Sequence, residues 1–135
     1  MIKSQQKSIN KLGEGFSEIL HFRVPYALAK NKLAHVAVVV MSDGSGYVGA
    51  SYCGKNDEYR RKVGYHLAVA RALKAAHHEH MLMWLDAGLF GKGLMVEVRK
   101  RINESLVNEA MRISKEIDKS QVDADGLRNG HFAHR

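Results

Sequence analysis

Apolar and polar positions divide the chain into short blocks of changing period. His35 to Met41 (HVAVVVM) is unbroken, β-branched and short, and reads as a buried strand. Ser42-Asp43-Gly44-Ser45-Gly46 follows as a turn cluster. From Tyr47 to Cys53 the pattern alternates, with Tyr47, Gly49, Ser51 and Cys53 on one face and Val48, Ala50 and Tyr52 on the other. The pair is a β-hairpin over about 35–53. Upstream, Phe16 to Val24 mixes large apolar and polar residues and suits a strand or a short helix that Pro25 ends. Downstream the period lengthens. Tyr59, Val63, Leu67, Ala70 and Leu73 or Lys74 recur at the three-four spacing of a buried helical face, which predicts a helix over about 56–77. Asn56 offers its N-cap, with Asp57 and Glu58 in the first turn. Gly64 lies inside it at a cost of up to about 1 kcal/mol, a sign of close approach by a backbone or a ligand.

The next stretch is less regular. Met81 to Leu85 suits a third strand or a continuing helix, and Ala87 to Gly93 (AGLFGKG) reads as a flexible loop. Ile102, Leu106, Ala110, Ile113 and Ile117 give the stripe of a second long helix over about 99–118, with Leu94 to Val98 an alternative strand leading into it. Residues 1–13 are polar and expected to fray, and 119–135 are expected to form a mobile tail. The expected fold is α+β. A single domain over 1–118 has a small antiparallel sheet with the two long helices packed on one face.

A chain of 135 residues with 45% apolar and 26% charged residues is sized and composed to bury a core. It has no 18-residue apolar run, and its N-terminus has no apolar secretory segment. Cys53 is the single cysteine. These features predict a cytoplasmic protein without disulfides.

Charge changes the picture more. The net charge is +7 and the pI about 9.6. Between residues 54 and 75, Lys55, Arg60, Arg61, Lys62, Arg71 and Lys74 meet only Asp57 and Glu58. Guanidinium forks near free helix N–H groups are the donors a phosphate ester needs. A solvated helix face has the same appearance. Further on, Trp84 and Phe90 flank the glycine-rich loop, and Arg99, Lys100 and Arg101 follow. An aromatic ring beside arginines suits a base and its phosphates, while core packing of Trp84 is the plainer reading.

Other candidates are weaker. Gly44-Ser45-Gly46-Tyr47-Val48-Gly49 fits G-x-G-x-x-G, but the glycines lead into a strand rather than opening a helix, so a hairpin turn is the reading adopted. His77, His78 and His80 surround Glu79 without the spacing of a metal site. Cys53 lacks any identifiable oxyanion hole or orienting acid. No enzyme activity, metal or cofactor is therefore expected.

Gly49, Ser51, Cys53, Asp57, Tyr59, Arg61, Lys62, Gly64, Ala68, Ala70, Arg71, Ala72 and Leu73 form the pattern G-x-S-x-C-x-x-x-D-x-Y-x-R-K-x-G…A-x-A-R-A-L. Over about residues 20–76 this resembles a module of small phage and mobile-element proteins, and most of all the first-described Thoeris anti-defence sponge proteins of phages. The resemblance implies a non-enzymatic, symmetric oligomer in the host-cell cytoplasm. It would hold cyclic ADP-ribose signals, and in some members cyclic oligonucleotides in separate pockets. It implies Arg23 before the hairpin and Arg60 or Arg61 early in the helix as ligand contacts. Trp84 or Phe90 would stack on adenine, and Arg101 or Arg112 would come from the last helix. Together with Lys62 from the basic helix, these are the expected ligand-binding residues. The alternative is a basic DNA- or RNA-binding protein.

Overall fold

The computed structural model describes residues 3–54, 60–86 and 88–129, except the side chains of Arg61 and of 122–129. Helix α1 spans Lys3–Leu12, and a 3-10 turn leads into β1 (Phe16–Pro25). Strands β2 (Leu33–Met41) and β3 (Ser45–Ser51) form the hairpin, followed by α2 (Arg61–His77) and the two-residue strand β4 (Met83–Trp84). Helices α3 (Gly91–Arg101) and α4 (Glu104–Asn129) follow. The four strands form one antiparallel sheet in the order β1-β2-β3-β4. The α+β class is as expected.

Strand β2 is unbroken in sequence because it is buried on both faces, unlike a strand with one wet side. Val36, Val38 and Val40 join Leu20, Phe22 and Val24 of β1, Leu94 and Val98 of α3, and Val107 and Ala110 of α4. On the opposite face, Ala37 and Val39 join Ala68, Val69, Ala72 and Leu73 of α2, with Ile9 and Leu12 of α1 at the border. Helices therefore cover both faces of the sheet, not one. Helix α4 links the layers, since Ile113 and Ile117 pack with Ala75 of α2.

The hairpin turn is made by Asp43, whose Oδ1 accepts hydrogen bonds from the Ser45 amide at 2.9 Å and the Ser45 hydroxyl at 2.6 Å. Gly44 takes φ 95°, open to glycine at no steric cost. The G-x-G-x-x-G match is thus a hairpin. Its last glycine, Gly49, lies under α2, where a Cβ would run into the backbone of Ala68 and Ala72.

That close approach overturns the predicted face of α2. Val63 and Leu67 are 57% and 40% exposed, while Ala68, Val69, Ala72, Leu73 and Ala76 are buried. Where the helix comes closest to the sheet, over Gly49, its alanines make the contact, and Val69 and Leu73 pack beside them. The single helix expected over 99–118 is two. The break follows Arg101, and Asn103 Oδ1 caps α4 by accepting from the Leu106 amide at 2.9 Å. Helix α3 begins at Gly91, inside the expected loop, so Leu94–Val98 is helical rather than a strand. Helix α4 runs past Lys119 to Asn129. Residues 3–12 do not fray: Gln5 is buried and donates from Nε2 to the His66 carbonyl at 3.0 Å. The proposed cap Asn56, with Lys55, Asp57, Glu58 and Tyr59, lies outside the described residues.

Candidate functional site

On its α2 side the sheet turns from apolar to polar toward the end of β1. The register aligns Ile19, Val39 and Tyr47 in one row, then His21, Ala37 and Gly49, then Arg23, His35 and Ser51. The Ser51 hydroxyl donates to the Gly64 carbonyl at 2.6 Å and fastens the first turns of α2 over the polar row. Gly64 lacks a side chain because the His35 ring occupies its place, with Cδ2 only 2.6 Å from where a Cβ would stand. The close approach expected at Gly64 is therefore to a histidine.

His35 is buried, and its Nδ1 lies 3.2 Å from His21 Nε2. The two rings are 19° from parallel with centroids 5.3 Å apart. That separation is near the greatest a 3.2 Å contact between ring nitrogens allows, so the rings meet edge to edge rather than face to face. One nitrogen must donate and the other accept, and a single proton lies between them. Tyr65 meets His21 edge-on at 4.5 Å. Burial, and secondarily the Arg23 charge, holds His21 below the ordinary histidine pKa.

Strand β1 is an edge of the sheet. Along it runs an open cleft of about 490 Å³, lined by His21, Phe22, Arg23, Val24 and Pro25 of β1, Arg99 of α3, and Ile102. Such a volume suits a small organic ligand. The Arg99 guanidinium lies over the Phe22 ring at 5.6 Å from the centroid. Among the described residues Arg99 has no carboxylate partner. Among the described residues the lining holds two guanidiniums and no acid, an arrangement that attracts an anion.

The sequence-predicted residues fall into separate groups. Arg23 is in the cleft wall. Arg60 and Lys62, both exposed, begin α2 at the same end of the sheet. The side chain of Arg61 lies outside the description. Trp84 and Phe90 are 57% and 80% exposed and do not line the cleft. Arg101 Nη1 donates to the Trp84 carbonyl at 2.8 Å and pairs with Glu97 at 3.7 Å. Arg112 is held between Glu109 and Glu116 on α4, which raise its pKa further, so its charge is neutralised locally. Arg71, part of the basic run, is half-buried and donates to the Ala50 carbonyl at 2.7 Å, so its role is to join α2 to β3.

Sequence reasoning named Arg99 only as one of a basic run and did not find the His21–His35 pair. Arg99 stands in the Arg99-Lys100-Arg101 run, but no periodicity says which of the three turns toward the sheet. The histidines are fourteen residues apart and meet only through the β1–β2 register. His77, His78 and His80 are exposed, and no group of three metal-ligating side chains occurs among the described residues. Comparison with family models, with curated proteins and with solved structures gave no match.

Proposed function

We propose that the protein captures a small anionic nucleotide in the Arg23–Arg99 cleft and holds it without chemical change. The resemblance noted for residues 20–76 favours immune signalling nucleotides, of the cyclic ADP-ribose or cyclic oligonucleotide type, in phage counter-defence. The observation that carries the reading is Arg99. It is a guanidinium with no carboxylate partner among the described residues, laid on an aromatic ring and facing a cleft that Arg23 also lines. Phosphate oxygens would take the guanidinium forks, and a base would stack on the open face of the Arg99 plane. Action would be stoichiometric, in the cytoplasm, by a homo-oligomer.

The second reading is polynucleotide binding. It is favoured by α2, which has no acidic residue from Arg61 to His77 and exposes Lys62. Melting the protein with cyclic ADP-ribose isomers, cyclic trinucleotides and a short DNA duplex separates the two. A ligand at a hundred times its dissociation constant raises stability by about 2.7 kcal/mol. Pocket capture tolerates added salt, whereas duplex binding weakens steeply with the number of phosphates neutralised. A melting temperature indifferent to all the small ligands defeats the capture reading. Recovery of a chemically altered ligand defeats its non-catalytic part.

A further inference from the structure

The two edges of the sheet differ. At β3, strand β4 pairs with Ser45 and Gly46, and Arg71 donates to the Ala50 carbonyl. At β1 the middle of the edge is open. The Tyr26 amide donates to the Lys32 carbonyl at 2.9 Å and continues the β1–β2 ladder, so from Glu18 onward the even-numbered residues of β1 turn their backbone groups to β2. The odd-numbered ones turn theirs outward, and Pro25, which has no amide hydrogen, stands among them. Among the described residues nothing bonds the outward amides and carbonyls of Ile19 and His21. We propose that β1 pairs antiparallel with β1 of a second copy about a two-fold axis at Leu20, and that each Glu18 thereby guards the other copy's cleft by pairing with Arg99. The guarding role rests on the cleft being the anion site.

An unpaired edge strand is a template for another strand. Here a bulge between Phe16 and Glu18 closes one end and Pro25 the other. Between them the strand complements itself. With Leu20 on the axis, Ile19 faces the partner's His21 and His21 faces the partner's Ile19, and their outward groups make four hydrogen bonds. Leu20 stands beside the partner's Leu20. Glu18 stands opposite the partner's Phe22, with about 4.5 Å between Cα atoms, on the face where Arg99 lies over that ring. Within one chain Glu18 and Phe22 are about 13 Å apart along the strand, so pairing supplies a contact that the single chain does not make. Among the described residues neither Glu18 nor Arg99 has an ion-pair partner of opposite charge within its own chain. Moving the axis to Ile19 or His21 sets Glu18 opposite Leu20 or Val24 of the partner subunit instead, so charge selects the axis at Leu20. An anion that enters the cleft displaces the Glu18 side chain and leaves the backbone pairing in place.

Sedimentation of the full chain without ligand tests the pairing. The parent should associate reversibly into dimers as its concentration rises from micromolar to millimolar. Glu18→Arg and Arg99→Glu should each weaken the dimer by about a hundredfold or more, because a like-charge contact then recurs on both sides of the axis. Their equimolar mixture should dimerise as the parent does, since both contacts of the mixed pair are opposite in charge. Melting temperatures show that each variant is folded, and the milder Glu18→Gln, expected to weaken the dimer by about tenfold, serves if Glu18→Arg is not. A parent that stays monomeric leaves the edge to a strand of some other protein and overturns the proposal. So does a mixture no more dimeric than its parts, or a dimer indifferent to these substitutions. For the guard, Glu18→Gln should bind sulfate several-fold more tightly than the parent, read from arginine side-chain NMR signals with chloride of equal ionic strength as the control. Equal sulfate affinity overturns the guard alone. No sulfate effect on Arg23 or Arg99 in either protein defeats the anion cleft and with it the guard, while the pairing stands on its own result.

Discussion

At Gly49 an absent side chain sets how close α2 lies to the sheet, and at Gly64 another makes room for the His35 ring. Both glycines stood out in the sequence, but what each faces is a tertiary fact. Gly49→Val should cost about 3 kcal/mol or more, because its branch meets helix backbone that cannot swing aside, and urea denaturation measures it. Arg23 entered through the resemblance, as an arginine before the hairpin, and it lines the cleft. Arg99 could not be picked out, because neighbouring Arg99, Lys100 and Arg101 carry the same charge and only helix phase separates them. Arg112 was named only through the resemblance, while Glu109 and Glu116, one turn to either side, cancel its charge by ordinary helix pairing.

At the scale of elements, the hairpin was plain from its β-branched run, turn cluster and alternation. Helix α2 was legible in existence but not in phase. Period counting weights large apolar residues, whereas the close contact over Gly49 selects alanines. Lysine at Val63 or Leu67 should therefore change stability by no more than about 0.5 kcal/mol, while Leu73→Ala should cost about 2–5 kcal/mol. Thermal or chemical melts of the three variants check the assignment of faces. The stripe from Ile102 to Ile117 hid the break between α3 and α4, because its spacing persists through a capped restart at Asn103. Asn103→Ala removes that cap and should cost about 1 kcal/mol, again read from denaturation.

For the whole molecule, two helical layers enclose a sheet whose one long free edge carries the cleft. The net charge of +7 made an anionic partner the expectation without pointing to a site. The placement comes from β1, whose odd residues offer His21 and Arg23 and whose even residues offer Phe22 as the seat for Arg99. The same arrangement makes stability depend on pH. His21 has a folded pKa below its unfolded value of 6.5, so its contribution is fully present above that value. As pH falls below 6.5 the unfolded chain takes the proton first and stability drops. Melting temperatures at pH 7.5 and 5.5 should show the loss, and His21→Gln should shrink it.

The central claim is anion capture by Arg99 and Arg23, and Arg99→Ala tests it most directly. Arg99 is exposed and lies over the Phe22 ring, so the variant should melt within a few degrees of the parent. Cyclic ADP-ribose isomers and cyclic trinucleotides are added to parent and variant in calorimetry at physiological salt. The account predicts that at least one binds the parent, and that Arg99→Ala weakens it by tenfold or more, in keeping with the loss of about 1.5–3 kcal/mol for a charged hydrogen bond. Equal affinity in the two proteins, or binding by neither, would contradict it.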